Sequence, residues 1–264
     1  MVEGGWRLHQ KEYLGSKVRQ RCETRCRTSL PMVEQGRTVS VKKEVRGSAE
    51  YIRMLDWIHG EVQALQWLAL KTRPDIATIT AICAGTQAKN PWEVATWTRE
   101  IWKYLNGTSG LGMEITPGET KAVVRIAADA SFAPGGDRSR TGVVIRVNSS
   151  IVYWSSNKQQ SCVMSAHEAE LNGAVEGTRI GVNIQNIVTE MCKQEAILKL
   201  DQDNTGTIAS ILHEITSWRT RHYASKAAEI RDLIIKRGIV VGHVKGIEIV
   251  ADPLTKVLPR VKLV

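Results

Sequence analysis

Residues 128–142 read ADASFAPGGDRSRTG, and this stretch decides the fold. The run leading into it, Ala122–Ala128 (AVVRIAA), is apolar enough for a buried β-strand. It ends on Asp129, passes a Pro134-Gly135-Gly136 loop and returns as a second strand-like run over 142–147. A mostly buried strand that delivers a carboxylate at its end needs a reason, because packing favours an apolar residue there.

Working outward, a third strand is expected over 151–155 (IVYWS) and a long helix from Ser165 to about Met191. A strand over 196–201 (AILKLD) and a helix from about Thr205 follow. Then come a helix over 225–237, a strand over 239–244 and a terminal helix from Asp252. The order is β-β-β-α-β-α-α-β-α. Three meandering strands followed by alternation predict an α/β fold, a mixed five-stranded sheet with helices packed on it. Upstream, apolar residues at Ile52, Leu55, Ile58, Val62, Leu65 and Leu68 predict a helix over 49–70, weakened in its middle by Gly60. Another is expected over 74–83, with Pro74 in its first turn. A third starts at Asn90-Pro91-Trp92-Glu93, with Asn as N-cap and Pro at N1, and runs to Leu105. Trp92, Trp97 and Trp102 read as packing residues of that helix. Residues 1–48 are basic and poorly periodic. The expected division is a basic, mainly helical segment over 1–118 and an α/β domain over 119–264.

The chain has 264 residues and a net charge of +9, from 36 basic and 27 acidic side chains. Residues 1–50 hold eleven Lys/Arg against six Asp/Glu, more than half of that excess. Such a balance favours a polyanionic partner, nucleic acid first. A hydrophobic content of 42% argues against disorder. No run of 18 apolar residues predicts a membrane helix, and the first ten residues lack the apolar core of a signal peptide. Five scattered cysteines do not form a disulfide framework. Cys22 and Cys26 lack a second Cys/His pair at zinc-finger spacing, so reduced thiols in an intracellular protein are expected.

Carboxylates recur where elements of the C-terminal region end or begin: Asp129, Glu168, Glu170, Asp201, Asp203 and Asp252. Acids that converge on one sheet edge repel each other unless cations neutralise them. Hard divalent ions take oxygen ligands, and a pair of them can clamp the attacking and leaving oxygens of a phosphodiester displacement. Other roles compete. Asp252-Pro253 and Asp203-Asn204 have the form of helix caps, and Ser165-Ala166-His167-Glu168 reads as a capping box with Glu168 at N3. Glu170 is thereby the freer of the two glutamates.

At this point the sequence resembles the C-terminal part of the Pol polyprotein of copia-type LTR retrotransposons, the end of the reverse transcriptase and its RNase H domain. The residues that carry the resemblance are TRPDIA (72–77), WTREIWKYLNGT (97–108), ADASFA (128–133), SRTGVVI (139–145), YWSSNKQQSCVMSAHEAEL (153–171), DNTGTIA (203–209), SKAAEIRDLI (225–234) and ADPLTK (251–256). Their order and spacing cover most of residues 50–258. The resemblance implies an RNase H-like fold with four catalytic, metal-binding acids: Asp129, Glu170, Asp203 (Asp201 as fallback) and Asp252. It implies two Mg²⁺ ions, replaceable by Mn²⁺, and hydrolysis of the RNA strand of an RNA–DNA hybrid. Arg138, Arg140, Lys158, Gln159 and Lys226 are candidate contacts to the nucleic acid. The upstream reverse transcriptase portion is an implied partner, a membrane is not, and reverse transcription implies a cytoplasmic particle. The family's paired palm aspartates are absent, since no Asp-Asp occurs, so no polymerase activity is expected from this chain alone. Two further departures are a loop Lys245–Glu248 without the His that some RNases H carry, His243 falling earlier, and Ala227 where copia-type sequences commonly have His. The alternative reading is a degenerate remnant that binds nucleic acid without cleaving it. An integrase-type strand transferase fits less well, because that group places its Glu last.

Overall fold

The computed structural model describes residues 4–21, 27–33, 35–118, 121–213 and 221–258. Cys22 and Cys26 lie outside them, and Cys83, Cys162 and Cys192 are free thiols. The chain divides into two compact units, one holding residues 7–113 and the other residues 114–133 and 138–255. Two three-residue strands, β1 (Trp6–Leu8) and β2 (Met113–Ile115), lie at the sequence borders of these units.

The first unit is helical: α1 (Lys11–Arg21), α2 (Lys43–Arg46), α3 (Ala49–Lys71), α4 (Ala77–Thr86) and α5 (Pro91–Gly107). Side-chain caps start the two long helices. Ser48 accepts from the Tyr51 amide at 3.1 Å, and Asn90 accepts from the Glu93 amide at 3.2 Å. Ile58, Val62, Leu65 and Leu68 line the buried stripe of α3, whereas Ile52 turns outward and is 52% exposed. Trp102 is buried, and its Nε1 donates to Glu61 Oε2 at 2.8 Å; Trp92 and Trp97 are half-buried. The expected helix over 74–83 begins instead as a 3₁₀ turn, Pro74–Ile76, before α4. Proline has no amide to donate, and the Asp75 carboxylate is held outside the helix. It accepts from Arg73 (2.7 Å) and from the Tyr104 hydroxyl (2.8 Å). Arg73 also reaches the Thr108 carbonyl, so this buried network joins the α3–α4 connection to the end of α5.

The second unit carries a five-stranded sheet of β3 (Val123–Ser131), β4 (Arg140–Val147), β5 (Ser150–Lys158), β6 (Ile197–Gln202) and β7 (Val240–His243). The spatial order is β5-β4-β3-β6-β7. The pairs β3–β4 and β4–β5 are antiparallel, and β3–β6 and β6–β7 are parallel. With helices α6 (Ala166–Cys192), α7 (Thr205–Leu212) and α8 (Arg221–Arg237), this is the expected RNase H-like α/β arrangement. The first strand does not stop at Ala128. It continues through Asp129, opposite Gly142, to Ser131, because β4 goes on pairing with it. The expected terminal helix is, among the described residues, a single 3₁₀ turn, Asp252–Leu254.

Three glycines set the closeness of α6 to the sheet. Gly173, Gly177 and Gly181 recur every fourth residue and share one helix face. A Cβ at Gly177 would lie 2.9 Å from Ile126 Cγ2, and one at Gly181 2.3 Å from Ile126 Cδ1. Their absence of side chains lets α6 lie on β3 above a core of Val124, Ile126, Val143, Leu171 and Leu198. Gly181→Ala is expected to cost about 1–2 kcal/mol through overpacking, against the better helix propensity of Ala. Gly60→Ala, where an added Cβ meets nothing within 4 Å, is expected to gain up to about 1 kcal/mol. Urea midpoints check both signs.

Candidate active site

Parallel pairing aligns the ends of β3 and β6. Ala127 stands opposite Asp201, so two residues further on Asp129 and Asp203 reach the same level. The start of α6 meets them there. Ser165 caps this helix by accepting from the Glu168 amide at 3.1 Å. Glu168 folds back onto the Met164 amide at 2.9 Å, one residue short of the amide a capping box uses. Glu168 is thus occupied in the cap and also meets Lys226 Nζ at 3.2 Å. Glu170, two residues on, reaches the strand ends.

One carboxylate oxygen from each of Asp129, Glu170 and Asp203 lies within 4.8 Å of the others. Asp129 is 5% exposed and Glu170 9%. At an effective dielectric of about 20, each pair of such charges repels by roughly 3 kcal/mol. The donor set is all oxygen and all anionic, which fits a hard divalent cation. Asp201 stays outside the group, its carboxylate paired with Arg125 at 3.2 Å.

Asp252 also stands outside it. It is the first residue of the Asp252–Leu254 turn, and Ala251 stands at the N-cap position that Asp-Pro suggested for Asp252. At the other candidate cap it is Asn204 that acts, its side chain accepting from the Thr207 amide at 3.0 Å at the start of α7.

The five candidate nucleic-acid contacts divide. Arg138 is exposed and donates to the Gln160 carbonyl at 3.3 Å. Lys158 and Lys226 line a groove of about 670 Å³, shared with Asn157, Asn172, Val175, Glu176, Arg179 and Ile180. Gln159 borders the same groove but is buried: its amide donates to Thr141 and to the Ala169 carbonyl and accepts from Asn172. Arg140 is 1% exposed and donates to the Ser156 carbonyl and hydroxyl. Arg140 and Gln159 therefore act as struts inside the fold, not as surface contacts. Their basic and polar identities gave no sign of burial.

Three contacts around the acids were not read from the sequence. His167 sits against Ser210 at 3.0 Å and packs on the Tyr223 ring, which ties the start of α6 to α7 and α8. Burial lowers the pKa of this imidazole below its ordinary value. His243, at the end of β7, donates from Nε2 to the Asp203 carbonyl at 3.2 Å. Arg231 donates to the carbonyls of Ser210, Ile211 and His213 and so closes α7. Ala227 is fully buried in the core, so this departure from the family pattern falls at a packing position.

No protein-family profile matches the chain. It is 26% identical over 206 residues to the retrovirus-related Pol polyprotein from transposon TNT 1-94 of Nicotiana tabacum, covering 76% of this chain and 15% of that one. It is 28% identical over 204 residues to the corresponding polyprotein from transposon RE1 of Arabidopsis thaliana, covering 76% and 14%. Both of these similar proteins are named retrovirus-related Pol polyproteins of transposons. The chain spans about 15% of the length of the curated polyproteins it matches. It is also 30% identical over 128 residues to secreted RxLR effector protein 161 of Plasmopara viticola, covering 46% of this chain and 86% of that one. Among solved structures it is similar to LC11-RNase H1 in complex with RNA/DNA hybrid, at 15% identity and a TM-score of 0.39, covering 50% of this chain and 92% of that one.

Neutralising one acid should relieve the repulsion. Asp203→Asn is expected to raise the melting midpoint in EDTA, by about 2–4 °C per kcal/mol relieved. Mn²⁺ is expected to raise the midpoint of the unmodified chain and to leave that of the variant nearly unchanged. Differential scanning calorimetry with and without Mn²⁺ checks both.

Proposed function

We propose that this chain is the metal-dependent ribonuclease H of a copia-type retrotransposon Pol protein, cleaving the RNA strand of RNA–DNA hybrids. The observation that carries the reading is the convergence of Asp129, Glu170 and Asp203 on one sheet edge. With Asp252 as the fourth acid, these residues would hold two Mg²⁺ ions. Bound there, such ions supply a nucleophilic water and charge neutralisation for the departing 3′ oxygen. The acids are fixed before substrate arrives: Asp129 by the sheet, Glu170 by the capped helix and Asp203 by the strand end. The reaction adds water across the phosphodiester, breaks the P–O3′ bond and leaves a 5′ phosphate. Lys158, Lys226 and Arg138 would meet backbone phosphates, and 2′-hydroxyl contacts would separate RNA from DNA. The Pol relationship supports an upstream reverse transcriptase as partner and a cytoplasmic particle as location.

One observation favours the second reading, a remnant that binds without cutting: Asp252 lies outside the acid cluster. Cleavage of an end-labelled hybrid in Mg²⁺ or Mn²⁺ decides between them. RNA-strand cutting that Asp129→Asn abolishes, with the fold retained by circular dichroism, is the expected result. A fully active Asp129→Asn would falsify the assignment, and a folded wild type that binds hybrid without cutting would establish the remnant.

A further inference from the structure

The turn that carries Asp252 is fastened to the first acid by buried polar contacts. Thr255, 4% exposed, stands at its end. Its hydroxyl is hydrogen-bonded to Asp129 Oδ2 and also lies 3.0 Å from the Asp252 carbonyl. A hydroxyl has one proton, and a carboxylate is a stronger acceptor than a carbonyl. The proton therefore goes to Asp129. Ser156 holds the middle of the turn: its Oγ donates to the Leu254 carbonyl at 2.6 Å and accepts from Arg140 at 3.1 Å. Ser131 Oγ donates to the Thr255 carbonyl at 3.3 Å.

Gly142 supplies the room for this closure. It is the cross-strand partner of Asp129. A Cβ there would meet the Ala251 carbonyl oxygen and Leu254 Cβ, each at 2.8 Å, and Thr255 Cγ2 at 3.0 Å. The glycine in SRTGVVI and the threonine in ADPLTK, far apart in sequence, thus serve one contact.

We propose that Thr255 is a positioning residue for the nuclease site, holding the Asp129 carboxylate in place for a divalent cation and keeping the Asp252 turn beside it. This rests on the reading of Asp129 as a metal ligand. An oriented carboxylate loses less freedom when the cation arrives, and partners of ligating groups typically account for about 10- to 100-fold in metal affinity. Arg140, Ser156 and Gly142 contribute by seating the turn.

Two variants separate positioning from packing. Thr255→Val keeps the branched shape against Gly142 and loses the hydroxyl; Thr255→Ser keeps the hydroxyl and loses the methyl. Mn²⁺ binding to the full chain is measured by electron paramagnetic resonance, with kcat and KM on hybrid alongside. Expected are affinity about tenfold weaker in Thr255→Val, recovery in Thr255→Ser, and a fall in kcat at unchanged KM. Wild-type affinity in Thr255→Val, or weakening only in Thr255→Ser, overturns the inference and leaves the nuclease reading standing. A wild type that binds no Mn²⁺ overturns both.

Discussion

The structure of the second unit turns on the mutual repulsion of carboxylates that the sheet itself brings together. Parallel pairing of β3 with β6 fixes Ala127 opposite Asp201, and from that register Asp129 and Asp203 emerge side by side. A slip of one residue would send one of them to the other face of the sheet. The register is held by the apolar residues on the α6 side, Val124, Ile126, Leu198 and Leu200, all essentially inaccessible to solvent. Hydrophobic burial on one face thus offsets an electrostatic cost at the edge.

The surroundings of the acids bear this out. Two nearby cations serve other carboxylates: Arg125 pairs with Asp201 and Lys226 with Glu168. Glu168 in turn completes the cap of α6, so the helix start is stabilised without drawing on Glu170. The glycine face of α6 then brings that helix close enough for Glu170 to reach the strand ends. Packing, capping and charge agree on one geometry, as expected of a sequence that specifies a single site.

Much of this was legible in the residues. The Asn90-Pro91 and Ser165–Glu168 patterns mark helix starts because their side chains bond local amides, and such contacts span only three or four positions. The order of strands and helices followed from periodicity. The strand bounds did not: β3 runs past Asp129 because its partner β4 goes on pairing, and a polar residue carries no sign of that. Arg140 and Gln159 looked like surface contacts for the same reason. Their burial depends on Ser156, Thr141 and Asn172, which reach them only across the sheet or from α6. Ile52 faces outward because, six residues before Ile58, it lies about 120° around α3 from the buried stripe, where Tyr51 takes its place.

The sequence by itself determined which residue types stand at the ends of the elements, the acids Asp129, Glu168, Glu170, Asp201, Asp203 and Asp252 among them, and its resemblance to a known family singled out Asp129, Glu170, Asp203 and Asp252. Local hydrogen bonding and the alternation of apolar and polar positions are properties of short segments, and they can be read from the chain alone. Only the tertiary structure decided that these three meet within 4.8 Å, that Asp252 stays apart, and that Thr255 reaches Asp129 across more than a hundred residues. Those outcomes depend on strand register and on the close approach of α6 and the Asp252–Leu254 turn to the sheet. Both are set by side chains packing against each other from distant parts of the sequence.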